Sequence, residues 1–202
     1  MFSMPQGETV QEGSSNSIPI ILPTDITVFD FKNFLKAKRA QLVGESASLT
    51  GEEWLSVLKL SDLWELPGLR TKAINAVESH IHNLSTVDMI LLAKKYCVSK
   101  WLMRGYVALA KRTDVITPDE SVRLGVYTSC RLAEVRDKSW KYVCHYGRLS
   151  NSYYARDYRG CFDFVEEVRR VFRDELMEDE EYRAVHLKQR HSSTSCHRLS
   201  QC

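Results

Sequence analysis

Few residues in this chain have the types and spacing that chemistry requires. Ser56-Val57-Leu58-Lys59 spells Ser-x-x-Lys, in which a lysine amine could deprotonate a serine hydroxyl and make it a nucleophile. The string falls among apolar positions of a helical pattern and its companion motifs are missing, so packing is the simpler reading. Cys144, His145, Cys161, His186, His191, Cys196, His197 and Cys202 are the donors from which a zinc site could be assembled. His186, His191 and Cys196 follow one another at intervals of five, unlike the usual zinc spacings, and Cys161 shares the apolar face of a helix, which reads as core. His80 and His82 fall near a helix end, where carbonyl dipoles favour a charged imidazole. With no phosphate loop, nucleophile elbow or zinc-protease pair, the sequence predicts neither an enzyme nor a cofactor.

A different chemistry is offered by Tyr153, Tyr154, Arg156, Tyr158 and Arg159, with His145 and Arg148 nearby. Rings mixed with cations can stack bases and contact phosphates, so a helical nucleic-acid-binding protein would use segment 145–159. The competing reading is a loop whose tyrosines pack back on the protein. The large rings Trp54, Trp64 and Trp101 are read as packing at helix crossings.

These residues sit in a chain of 202 residues with 44% hydrophobic and 27% charged residues, a globular composition. A net charge of +2 gives no global attraction to nucleic acid or membrane. No apolar run is long enough to span a bilayer. The six cysteines are irregularly spaced, contain no Cys-x-x-Cys pair and follow no secretory signal. A cytoplasmic or nuclear location is therefore expected.

The elements that must position the candidates are helices with clear start signals. Thr50 with Glu53 and Ser85 with Asp88 form capping boxes, and Thr117-Pro118-Asp119-Glu120 adds a proline where the first turn needs no donor. Ser99 is expected to cap a further helix, Gly125 to end the one begun at Thr117, and Cys161, Phe164, Val165, Val168, Phe172 and Leu176 to share the face of another. Glu166 is expected to pair with Arg170. Lys36 to Ser48 reads as a loop, with the basic cluster Lys36, Lys38 and Arg39 as an alternative extension of the preceding helix; Ile18 to Leu22 reads as a short strand, and Cys144 to Gly160 lacks a helical period. One helix-turn-helix phrase occurs twice, thirty-two positions apart: Leu60, Trp64, Leu66, Leu69, Ala73 and Val77 answer to Leu92, Tyr96, Val98, Trp101, Gly105 and Leu109. No convincing third copy follows Leu124, which argues against a longer solenoid.

At the first phrase a family resemblance enters. Trp54, Val57-Leu58, Leu60-Ser61, Trp64, Leu66-Pro67 and Leu69-Arg70 with Ala73-Ile74 resemble the closing helix pair of the BTB/POZ domain of fungal proteins. Met1 to Gln6 resembles the phrase after that family's central helix, Ile18 to Asp25 its following strand and corner, and Phe31, Phe34 and Leu35 its next helix. Leu92 to Leu109 is similar to the helical extension that often follows. Family members carry a strand, a dimerisation helix and core strands ahead of the phrase at Met1, so the resemblance implies an N-terminally shortened fragment. Lys36-Ala37-Lys38-Arg39 departs from the aromatic and glycine that many members have there.

The resemblance implies an α+β, predominantly α fold: the C-terminal part of a BTB/POZ domain followed by a helical extension. The expected division is a partial BTB/POZ domain at 1–82, the extension at 83–143, a Tyr/Arg-rich loop at 144–160, an amphipathic helix at 161–182 and a basic disordered tail at 183–202. The implied function is non-catalytic protein-protein interaction, as an adaptor or a scaffold in transcription or ubiquitin ligation. Cullin-3 or a BTB-containing protein would be the partner, and Val10-Gln11-Glu12 would supply an apolar plug at Val10 and a polar anchor at Glu12. Missing core strands would leave the Phe31 and Trp54 helices with unpaired apolar surface, so Phe31 and Phe34 join the expected contacts. A BTB-style homodimer is not expected without the dimerisation helix.

Overall fold

A computed structural model describes residues 15–17, 19, 21–45, 47–150, 159–180 and 182–185, the side chains of 146–150 excepted. Nine helices are assigned among them: α1 Val28–Leu42, α2 Gly51–Leu63, α3 Pro67–Ile81, α4 Thr86–Lys95, α5 Ser99–Lys111, α6 Pro118–Leu124, α7 Val126–Ser150, α8 Phe164–Val171 and α9 Arg173–Leu176. They divide into two compact units, Met1–His80 and Ile81–Cys202.

In the first unit, each helix starts where a side chain can satisfy a free amide. Thr27 with Asp30 opens α1 and Thr50 with Glu53 opens α2, each as a reciprocal capping box. Lys36, Lys38 and Arg39 extend α1 to Leu42, so the expected loop begins later, at Gly44 in a left-handed conformation (φ 73°). Phe34, Ala37, Trp54, Val57, Leu58 and Leu60 bury the contact between α1 and α2, while α3 buries Leu69, Ala73, Ile74 and Val77. A Cβ on Gly51 would lie 2.5 Å from His80 Cβ, so only glycine lets the start of α2 approach the end of α3 this closely.

The second unit is organised around α5, whose Trp101, Leu102, Tyr106, Leu109 and Ala110 are buried. Helix α4 lies against it so closely that a Cβ on Gly105 would overlap the Ile90 side chain. Phe164, Val168, Phe172 and Leu176 of the C-terminal region, and Leu132, Val135 and Val143 of α7, complete the core. The Tyr106 and Phe172 rings stack with centroids 3.9 Å apart. Thr117 caps α6 with Glu120 as predicted, and Gly125 (φ 82°) ends that helix. The stretch from Cys144 continues α7 to Ser150 instead of opening a loop. In α8 the ion pairs are Glu166–Arg169 and Glu167–Arg170, one residue closer than the expected Glu166–Arg170 pair.

The α+β expectation and the BTB/POZ resemblance do not survive this structure. A BTB/POZ domain is built on a β-sheet core, and the described residues are almost entirely helical with no β-strand. The expected strand at Ile18 to Leu22 shows why. Pro19 within it and Pro23 after it lack amide donors, Ile21 is 75% exposed, and no strand among the described residues pairs with it. An apolar run without a sheet gains nothing from extending. What the resemblance captured was the period of helix faces, which many helical hairpins share. The BTB/POZ interaction function falls with the fold, and the expectation of cullin-3 or a BTB-containing partner rested on that resemblance alone. The phrase Met1 to Gln6 lies outside the described residues.

Candidate functional site

Ser56 and Lys59 do meet, but on a carboxylate. Asp30 accepts hydrogen bonds from the Thr27 amide (3.0 Å) and the Lys59 ammonium (3.2 Å), and the buried Ser56 hydroxyl also bonds to it. Burial works against ionisation of Asp30, yet the Thr27, Ser56 and Lys59 hydrogen bonds together hold its carboxyl at about 2. Lys59 also reaches the Asp25 carbonyl and carboxylate. The pair thus fastens the start of α1 to α2, with the serine hydroxyl and the lysine ammonium both directed at Asp30.

The metal donors stay apart. Among the described residues no three His, Cys, Asp or Glu side chains form a group that could hold an ion. Cys144 and Cys161 are exposed and outside any disulfide; His186, His191, Cys196, His197 and Cys202 lie outside the described residues. Cys161 is not core as expected, because it occupies the turn before α8, and the buried face starts only at Phe164.

Of the Tyr/Arg segment, Tyr153, Tyr154, Arg156 and Tyr158 lie outside the described residues, as does the Arg148 side chain. Arg159 is buried at 7% exposure. Its guanidinium donates to the Ala110 carbonyl (2.7 Å), the Lys111 carbonyl (2.6 Å) and Ser139 Oγ (3.1 Å), and lies over the Trp140 and Phe164 rings. Arg136 adds bonds to the carbonyls of Leu109, Thr113 and Asp114. Two arginines therefore satisfy carbonyls that the end of α5 leaves free. Desolvation, with Arg136 beside it, pushes the Arg159 guanidinium below its ordinary value. Its donors are used within the unit and do not face a phosphate.

Val10 and Glu12 lie outside the described residues. Phe31 and Phe34 come together on one ring: their centroids lie 6.1 and 4.8 Å from Trp64, edge to face, with Phe34 buried and Phe31 half-buried. That clamp holds α1 against the end of α2. It also fixes which face α1 turns outward.

The outward face is the notable surface. Val28, Leu35 and Leu42 are 72%, 49% and 78% exposed, seven residues apart, with Phe29 and Val43 exposed alongside. Lys32, Lys36 and Arg39 border the apolar stripe. Near its C-terminal end a cleft of about 330 Å³ is lined by Lys36, Arg39, Val43 and Leu49, among others. Lys36 pairs with Glu53 at 3.4 Å, whereas Lys32, Lys38 and Arg39 have no carboxylate partner among the described residues. Elsewhere several cations are paired with carboxylates: Lys59 with Asp30, Arg70 with Asp62, Arg112 with Glu120, Arg123 with Asp88, Arg131 with Asp174 and Lys138 with Glu167. The seven-residue spacing of Val28, Leu35 and Leu42 was legible in the sequence. The polar stretch from Lys36 to Ser48 reads as a loop and hides the stripe, although the basic cluster Lys36, Lys38 and Arg39 already offers the helix extension that exposes it.

At the coarsest level the described residues define a predominantly helical fold carrying two similar helical hairpins. No family model matches the sequence, and no curated protein or solved structure matches it either.

Proposed function

We propose that the chain is a non-catalytic recognition scaffold that binds a protein partner along the exposed face of α1. The observation that carries this reading is the stripe Val28, Leu35 and Leu42, a row of large apolar side chains left in water on a helix whose opposite side is buried. Removing such a row from water stabilises a complex by roughly 25 cal/mol per Å² of apolar area, which a partner's side chains can supply. The cations beside it provide the polar rim that selects the partner. The Ser56–Lys59 contact with Asp30 and the buried role of Arg159 support a scaffold, since both consume chemistry in holding helices together.

A photo-reactive amino acid at position 35 tests the reading in cells. Cross-linked protein adducts are expected from that position, and Leu42→Asp should remove them without changing the helical circular dichroism. The same probe at Val122, exposed in the second unit, serves as control. No adduct at position 35, or equal adducts from both positions, sinks the proposal.

A further inference from the structure

We infer that the segment received by α1 is an acidic amphipathic helix of the partner protein, laid along Val28, Leu35 and Leu42. The inference rests on the reading of α1 as a docking face and names what occupies it. Spacing is the first support: Val28, Leu35 and Leu42 form one exposed apolar row along α1, which the apolar face of a helix lying beside it can cover. From Val28 to Leu42 that row runs about 21 Å, the length of three heptad positions on a straight helix.

Charge is the second. Lys32 and Arg39 are themselves seven residues apart and border the row on one side, in the places that choose a partner by charge. Neither is answered by a carboxylate among the described residues, and an incoming Glu or Asp would complement both. The cleft lined by Lys36, Arg39, Val43, Glu45 and Leu49 adds a place for an apolar anchor at the C-terminal end of the row. The same cations oppose a second copy of this chain as occupant. Along the other edge of the row lie Phe31 and Lys38, neither a carboxylate, and two α1 helices face to face would set like charges together.

The test uses the full chain and two designed helical peptides of about three heptads, with one leucine seam but flanked by Glu in one and Lys in the other. The Glu peptide should bind about tenfold more tightly than the Lys peptide, and added salt should erode the difference. Replacing Lys32→Glu together with Arg39→Glu should reverse the preference. Leu35→Asp should abolish binding of either peptide while circular dichroism stays unchanged. Equal binding of both peptides, insensitive to the charge reversal, overturns the acidic partner but leaves α1 as a docking face. So does failure of both peptides while position 35 still gives cross-links. Flotation with phosphatidylserine vesicles that requires Leu35 and Lys32, or a concentration-dependent dimer lost in Leu35→Asp, overturns the inference in favour of lipid or a second copy. Failure of both peptides with no cross-link removes the docking face as well.

Discussion

The two hairpins, α2–α3 and α4–α5, turn the same corner and secure it differently. After α2 the Leu66 amide bonds to the Ser61 carbonyl and the Glu65 amide to Asp62; after α4 Val98 bonds to Ala93 and Cys97 to Lys94, thirty-two residues on in every case. Glu65 (φ 50°) and Cys97 (φ 48°) occupy the same left-handed position. Past the corner they diverge. Helix α3 opens on Pro67, whose missing amide needs no partner, and Arg70 pairs with Asp62 at 3.0 Å. Helix α5 opens on Ser99, whose amide is capped by Asp179 at 2.8 Å and whose hydroxyl donates to the Leu176 carbonyl. The first corner is closed by its neighbours in sequence and the second by residues about eighty positions away, so one local phrase can be locally or globally secured.

The largest expected break lies at the helix crossing. Gly105 stands where the first hairpin has Ala73, and a Cβ added there would run into the Ile90 side chain. Gly105→Val should force α4 and α5 apart and cost about 3 kcal/mol in urea denaturation. Ala73→Gly, the matching exchange in the first hairpin, should cost only about 1–2 kcal/mol, through lost helix propensity and one buried methyl. If both cost the same, the hairpins cross alike and the contrast between them fails.

The distant cap comes next. Asp179→Ala leaves the buried Ser99 amide without a partner and should cost about 2 kcal/mol, with faster hydrogen exchange in the first turn of α5. Thr50→Ala removes a cap that is local and exposed, for about 1 kcal/mol confined to the start of α2. Unchanged exchange at α5 in Asp179→Ala would show that the second corner is as self-sufficient as the first.

What could be read in the sequence follows the same division. The capping boxes at Thr50 and Thr117, the stop at Gly125 and the repeated corner were legible, because each is decided within a few residues. Ser99 was expected to cap α5 with its own side chain, and nothing near it in sequence announces Asp179. Arg159 looked like a phosphate ligand, since its role depends on where Ala110 and Lys111 end a helix nearly fifty positions earlier. The BTB/POZ reading failed in the same way: helix periodicity is local, but a sheet exists only if distant strands pair. Of the proposed face, the stripe on α1 was present as spacing, while its exposure is decided by Phe31 and Phe34 turning the opposite side onto Trp64.

A smaller effect separates the units by pH. Asp30 has a folded-state pKa of about 2, below its ordinary 3.8, so it stabilises the first unit above pH 4 and loses that contribution as pH falls toward 2. After allowance for solvent screening the effect is about 1 kcal/mol. Asp30→Asn should flatten the acid limb of the first unit's unfolding curve, followed by hydrogen exchange at α1 and α2. An equal flattening in α4 and α5 would contradict its local role.

The smallest effect tests whether the corners are truly alike. A side chain with φ near 50° at a helix end is strained, and glycine relieves it, while glycine also gains freedom in the unfolded chain and offsets part of the benefit. Glu65→Gly and Cys97→Gly should therefore each stabilise by up to about 1 kcal/mol, and by similar amounts. The matching φ values and hydrogen bonds give both substitutions the same strain to remove, whatever secures the helices beyond. A gain at Glu65 without one at Cys97 would mean that the half-buried Cys97 side chain contributes packing the corner geometry does not reveal, and the likeness would then stop at the backbone.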